Sequence, residues 1–278
     1  MQKRGSLLRA ARAAQLRGVE RSAALCAVWR WKEATVPSPL IIDRFAKEFA
    51  QEGLGPETVD KLSAATFASS LQYLVALRTR LLDDRLVAWC CQERTTSIRQ
   101  VVQLGVGCDT RALRLADMHF FEVDTPRVVK FRQRWVQHLG HVVQLGLDLK
   151  KPEMLHPALV DAGFDPNAST AWVCEGLLEY HDPSFTVALL KALQTIRGMA
   201  PQLLILAVLD PYWLDFLRQE HRQKPVRMAW KPSRLPPITW YQDQLLQHGW
   251  DLREVISELS ERCPVPVSSL FHVLVARR

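Results

Sequence analysis

The pattern of apolar positions changes once along the chain, and the change divides it. Up to about residue 95 apolar residues recur at helical spacing. Leu7, Leu8, Leu16, Leu25, Val28 and Trp29 predict one helix over 6–32, ended by Pro37 and Pro39. A short helix is expected over 41–50 and is broken by Gly53 and Gly55, after which Pro56 suits the first turn of another. From 67 to 91 the spacing of Tyr73, Leu74, Leu77, Leu81, Leu82, Leu86 and Trp89 is again helical. Residues 1–95 are therefore expected to form a helical cap over the mouth of a sheet.

Beyond Ile98 apolar strands alternate with helical patterns. Strands are expected near 100–105, 119–123, 141–146, 170–174 and 202–209, with helices near 110–116, 125–138, 153–162 and 183–198. That rhythm implies a mainly parallel sheet covered on both faces. A helix near 240–248 and two strands near 251–257 and 268–276, joined by an irregular link, read as an antiparallel hairpin at the sheet edge. Pro225, Pro232, Pro236 and Pro237 keep 211–238 from forming a long helix, and this stretch reads as a lid insertion. The fold class is α/β, with a Rossmann-like, seven-stranded domain over 96–278 behind the cap.

Candidate chemistry gathers where the first strand ends. Val101-Val102-Gln103-Leu104 runs into Gly105-Val106-Gly107-Cys108-Asp109-Thr110, two glycines one residue apart followed by an acid. Glycine lets backbone approach a ligand and take up φ > 0. The second strand, Phe120-Phe121-Glu122-Val123-Asp124, ends in acid, as a site for ribose hydroxyls requires. Asp148, Glu175 and Asp210 follow the third, fourth and fifth strands, on the edge where such sheets bind ligands. The turn lacks the third glycine of the dinucleotide fingerprint, which argues against a dehydrogenase.

Composition narrows the class. Over 278 residues, 48% hydrophobic and 23% charged describe a soluble globular chain, and the longest apolar run, Leu203 to Leu209, is too short to cross a bilayer. No secretory signal is expected. Cys26, Cys90, Cys91, Cys108, Cys174 and Cys263 show no metal-ligating spacing, so reduced thiols, a cytoplasmic location and no metal are expected. The net charge of +7 is concentrated in Lys3, Arg4, Arg9, Arg12 and Arg17, which precede the first acid and leave +2 on the rest. Nucleic acid is thus not the expected partner. The Arg-rich, acid-free residues 1–19 read either as a solvated amphipathic helix, the preferred reading, or as an organelle transit peptide.

Leu104-Gly105-Val106-Gly107-Cys108-Asp109-Thr110 followed by Phe121-Glu122-Val123-Asp124-Thr125-Pro126 resembles the leucine carboxyl methyltransferase family, with its L-G-x-G-x-D-T and F-E-V-D-x-P patterns. Gly146-Leu147-Asp148-Leu149 agrees, and Cys174-Glu175-Gly176-Leu177-Leu178-Glu179-Tyr180 is similar to the family's A-E-G-L-L-x-Y. The match runs from about Tyr73 to Tyr180. The resemblance implies a class I fold and S-adenosylmethionine as methyl donor. It implies that Arg78, or its neighbour Arg80, reaches the methionine carboxylate and that Gly105 and Gly107 form the floor beside Asp109. Asp124, ahead of Glu122, would hold the ribose. Asp148 and Leu149 would frame the adenine, and Glu175 would sit by the amino group. On the residues alone, Arg78 could be a surface charge and Asp148 a helix cap, whereas Glu175 in an apolar segment needs a partner. Trp29, Trp31, Trp89 and Trp135 are most simply core.

An ionised carboxylate acceptor needs no base, whereas a hydroxyl usually does; the candidate bases are His181 and Tyr73. The expected activity is methyl transfer to a carboxylate or a small-molecule hydroxyl. The alternatives are a protein C-terminal carboxylate, the best-known acceptor in the family, or cofactor binding without turnover. Glu179 inside the third motif and the proline-broken lid depart from the family on the acceptor side. Arg218, His221, Arg222, Lys224, Arg227, Lys231 and Arg234 in that lid would favour an anionic acceptor if folded over the pocket.

Overall fold

Strands that read as unbroken apolar runs need cover on both faces, and the sheet supplies it. The computed structural model describes residues 16–64, 68–92, 99–136, 138–196, 198, 200–211, 235–257 and 271–278. Its strands are β1 (Arg99–Leu104), β2 (His119–Asp124), β3 (Val142–Gly146), β4 (Ser169–Glu175), β5 (Gln202–Leu209), β6 (Asp251–Ile256) and β7 (Phe271–Arg277). They form one sheet in the order β3-β2-β1-β4-β5-β7-β6. The first five are parallel, and β7 runs antiparallel between β5 and β6. All eight residues of β5 are buried, as expected of a strand paired on both edges and covered on both faces.

Helices α1 (Glu20–Glu33), α2 (Ala46–Leu54), α3 (Pro56–Ala64) and α4 (Ala68–Gln92) precede the sheet. Then come α5 (Arg111–Arg114), α6 (Pro126–Val136), α7 (Leu155–Asp161), α8 (Pro183–Thr195) and α9 (Ile238–Gln247). Alternation along β1 sends Val101 to one face and Val102 and Leu104 to the other. On the Val101 face Trp29 of α1, Phe49 of α2, Val59 of α3, Leu82 of α4 and Phe131 of α6 share one core with the sheet. The opposite core takes in Leu159 of α7, Leu189 of α8 and Leu245 of α9. Trp29 and Trp89 belong to the first core, with Trp31 and Trp135 packed against it.

Two expectations are corrected here. Gly53 was expected to break its helix but lies inside α2. A Cβ there would stand 2.5 Å from Ala24 Cβ, so the glycine serves close approach of α2 to α1. The helix expected over 110–116 shrinks to the four residues of α5. No described helix is long and apolar enough to cross a membrane. Residues 1–15, the lid residues 212–234 with their basic side chains, and the link 258–270 with Cys263 lie outside the described residues.

Candidate functional site

Strand order reverses between β1 and β4, so their carboxyl ends flank a crevice that no crossover covers. The glycine turn occupies it. Gly105 and Gly107 have φ of +72° and +54°, a region that side chains disfavour. Packing excludes a side chain as well: a Cβ on Gly105 would lie 3.0 Å from Leu177 Cδ1, and one on Gly107 2.9 Å from Ala23 Cβ of α1. The Gly105 amide donates to the Val123 carbonyl at 2.8 Å, while the Gly107 amide donates to Asp124 Oδ2 at 2.8 Å. The turn's carbonyls are held too: Arg132 donates to those of Gly107 (3.0 Å) and Asp109 (2.6 Å), and Arg30 donates to that of Cys108 (2.9 Å).

A cavity of about 670 Å³ opens over this turn, roofed by α1 and walled by α4. From α4 it takes Leu71, Leu74, Val75 and Arg78, one helical stripe at i, i+3, i+4 and i+7. Arg80 lies off that stripe; its side chain is 53% exposed and pairs with Asp84 at 2.8 Å. Tyr73 is also off the stripe and half-buried, and it does not line the cavity.

Gly105, Gly107, Asp109, Asp124 and Glu175 all line the cavity, as do Asp148, Leu149 and His181. Of the remaining strand-end acids, Glu122 is turned to Arg132 (2.6 Å) and Gln144 (2.9 Å), and Asp210 bonds His272 Nε2 at 2.9 Å. Asp124 accepts the amides of Gly107 and Thr125 (2.7 Å), one on each oxygen. A carboxylate has about four acceptor positions, which leaves it able to take two hydroxyls from the cavity. Burial pushes its carboxyl up, against the pull of the two amides and Arg132. Asp148 is exposed and accepts the Lys150 amide at 3.1 Å, while Leu149 beside it is buried. The His181 ring stacks on Phe185 with centroids 4.0 Å apart.

The partner that Glu175 needs comes from the protein itself. Its Oε1 lies 2.8 Å from Arg78 Nε and its Oε2 2.8 Å from Arg111 Nη2. Arg111, fully buried, also pairs with Asp83 and, at 2.8 Å, with Asp109. Arg114 joins the same two acids at 2.8 and 3.1 Å. Burial would raise both Glu175 and Asp109, but Arg78 and Arg111 hold the first, and Arg111, Arg114 and Arg30 the second, below the usual carboxylate range.

Sequence reasoning missed the scaffold of this network. Arg111 was visible only as the residue after Asp109-Thr110. Arg30 stands out in Val28-Trp29-Arg30-Trp31 as a cation inside an apolar run; in the structure it pairs with Asp43 at 3.0 Å. Asp83 gave no signal. Gln103, 2% exposed, reaches the cavity from β1, donating through Nε2 to Asp109 (2.7 Å) while Oε1 has no partner among the described residues.

The site can therefore offer a guanidinium and an unpartnered amide oxygen at one end, glycine backbone in the middle, and a doubly anchored carboxylate with an apolar shelf at the other. That donor set suits a ligand with an amino-acid head and a nucleoside tail.

Comparison with known proteins agrees with this geometry. The family model described as leucine carboxyl methyltransferase matches residues 23–194. A Mycolicibacterium gilvum protein described as a candidate S-adenosyl-L-methionine-dependent methyltransferase is 32% identical over 241 residues, covering 81% of this chain and 70% of its own. A solved DUF574 family protein from Streptomyces avermitilis covers 91% of this chain and 96% of its own, with a TM-score of 0.59 at 13% identity. Magnesium protoporphyrin IX methyltransferase from Synechocystis, solved with bound SAH, covers 85% of this chain and 100% of its own, with a TM-score of 0.50 at 13% identity. At these identities the two structures show the shared fold alone, the seven-stranded class I sheet.

Proposed function

The chain belongs to the leucine carboxyl methyltransferase family, and from that premise we propose that it transfers a methyl group from S-adenosylmethionine to an oxygen of a small acceptor, a carboxylate or a hydroxyl. The donor brings its methyl already activated on a sulfonium, so the protein's task is to hold an acceptor in line and exclude water. The observation that carries the reading is the pair of complementary ends in one cavity: Arg78 with the open Gln103 Oε1 at one, Asp124 at the other.

In this reading Arg78, oriented by Glu175, holds the donor's carboxylate through the guanidinium nitrogens not used in that pair. Gln103 Oε1 takes its ammonium, with Glu175 supplying the nearby negative charge. Asp124 accepts the ribose hydroxyls, and because the same carboxylate fixes the Gly107 amide, sugar binding and turn geometry are coupled. Leu149 gives the adenine an apolar shelf and Asp148 an acceptor for its amine. Asp109 acts through the turn, held by Gln103, Arg111 and Arg114. Helix α1 lies over the glycine turn through Ala23 and keeps water from it. His181 stands on the cavity wall, its ring stacked on Phe185.

Calorimetry with S-adenosylmethionine tests the assignment. The wild type binds, and Asp124→Ala weakens binding at least about tenfold, since hydrogen bonds to a charged group are worth about 1.5–3 kcal/mol. No binding by the wild type, or an unchanged affinity in Asp124→Ala, sinks it. Labelled methyl recovered in an acceptor separates turnover from binding alone.

A further inference from the structure

The turn after β4 carries an acid at a position the family pattern leaves open. Glu179 lies in a one-turn 3-10 helix, Leu178–Tyr180, is 1% exposed, and lines the cavity. Its Oε1 accepts the amide of Leu209, the last residue of β5, at 3.0 Å, which fixes the side chain against the strand end. Its Oε2 is fully buried and takes no hydrogen bond among the described residues. Arg78 is the nearby cation, but its Nε is committed to Glu175. Buried polar atoms in native folds are nearly always satisfied, and an open carboxylate oxygen is the costliest kind to leave bare. A carboxylate oxygen left without a donor, on a residue of the cavity wall, is the group that a ligand's donor would satisfy once the side chain turns toward it. Burial raises this carboxyl above its usual range against the pull of Arg78, which also suits it to take up a proton.

Resting on the reading that the cavity holds donor and acceptor together, we propose that Glu179 Oε2 forms the acceptor subsite, receiving the hydrogen bond of a neutral, hydroxyl-bearing small molecule and selecting it over a free carboxylate. A carboxylate acceptor would bring like charge against the buried Glu179 carboxylate, where repulsion is stronger than in water. A hydroxyl brings the missing donor. As its oxygen gains the methyl, the O–H bond breaks and the proton passes to Oε2. The acceptor becomes a methyl ether, Glu179 a neutral acid, and the electron pair of the broken C–S bond stays on sulfur. One positive and one negative charge cancel, so atoms and electrons balance.

Wild type, Glu179→Gln and Glu179→Ala are incubated with S-adenosylmethionine labelled in its methyl group and a metabolite extract, and labelled products are sorted by treatment with alkali, which cleaves methyl esters and spares ethers. Donor binding is measured by calorimetry on the same preparations. Glutamine still accepts the Leu209 amide but cannot take a proton. The wild type is expected to give alkali-stable label, and Glu179→Gln to lower transfer at least about 100-fold with donor affinity changed less than about twofold, as loss of a proton acceptor predicts. Alkali-labile label, transfer retained in Glu179→Gln, or donor binding with no labelled product overturns the proposal. Failure of the wild type to bind the donor overturns the reading of the cavity itself, a separately observed outcome.

Discussion

Arg111 Nη2 stands 2.8 Å from Glu175 Oε2, tying the short helix after the glycine turn to the end of β4. The two strand ends that flank the crevice are thus joined by a largely buried ion pair, and Arg111 links Asp83 and Asp109 to the same point. Arg111→Met removes one partner and leaves three buried acids short of charge. Breaking a buried pair from one side costs about 3–5 kcal/mol, so urea unfolding should show a loss of that order. A variant within experimental error of the wild type would show that Arg78 and Arg114 suffice.

Stability should depend on pH with two opposing parts. Asp109 and Glu175 have folded-state pKa values below their ordinary ones, so their stabilisation is complete above the ordinary carboxylate range, about pH 4. It drains as pH falls through the lower folded values. Glu179 is raised; the stability it contributes is complete below about pH 4.5 and is lost as pH rises through its folded value. Glu179→Gln removes only that second part. The variant should melt above the wild type at pH 7 and converge on it near pH 4, a pattern thermal melts at the two pH values would reveal; a melting point below the wild type at pH 7 contradicts it.

Gly107→Ala meets two obstacles of different kinds. The backbone at φ +54° costs an alanine about 1–2 kcal/mol, and its Cβ meets Ala23. Ala23→Gly removes the contact and leaves the strain. The single variant should therefore lose both stability and donor affinity, and the double variant should regain part of the stability while remaining below the wild type. Full recovery in the double variant would assign the whole cost to the contact.

Gly53→Ala tests the packing of α2 on α1. Alanine favours a helix over glycine by about 1 kcal/mol, and in a free helix the change would stabilise. Here the added Cβ stands 2.5 Å from that of Ala24, and overpacking a filled site costs about 1–3 kcal/mol. A lower melting temperature is expected. An unchanged or raised one would show that α1 and α2 move apart at little cost.

The chain's periodicity was enough for the sheet. Short apolar runs in β1 to β5 and the helical spacing between them point to a parallel sheet with two covered faces, because such strands bury both sides. The glycine turn was legible for a local reason: the hand-over from β1 needs positive φ at Gly105 and Gly107, and no other residue supplies it without strain. Asp124 was legible because it ends the next strand. Within α4, heptad-like spacing distinguishes Arg78 from Arg80 and Tyr73 once the stripe facing the cavity is known, but several stripes fit the sequence equally. Which one faces inward depends on the sheet edge that α4 packs against, a contact between residues far apart in the chain.

The charged network is the part only tertiary structure decided. Arg30, Asp83, Arg111 and Glu175 come from α1, α4, α5 and β4, and nothing local to any of them announces the others. Their burial is tolerable only because they meet, since each would be too costly to bury alone. The same holds for Glu179, which the sequence marks only as a departure inside the third motif. Folding places one of its oxygens on the Leu209 amide and buries the other without a donor among the described residues, on a residue that lines the cavity. Sequence thus determined the sheet and the glycine turn, through local apolar patterning and backbone conformation. The pairing of distant charges, and the unpartnered Glu179 oxygen, were set by which strand and helix ends the fold brings together.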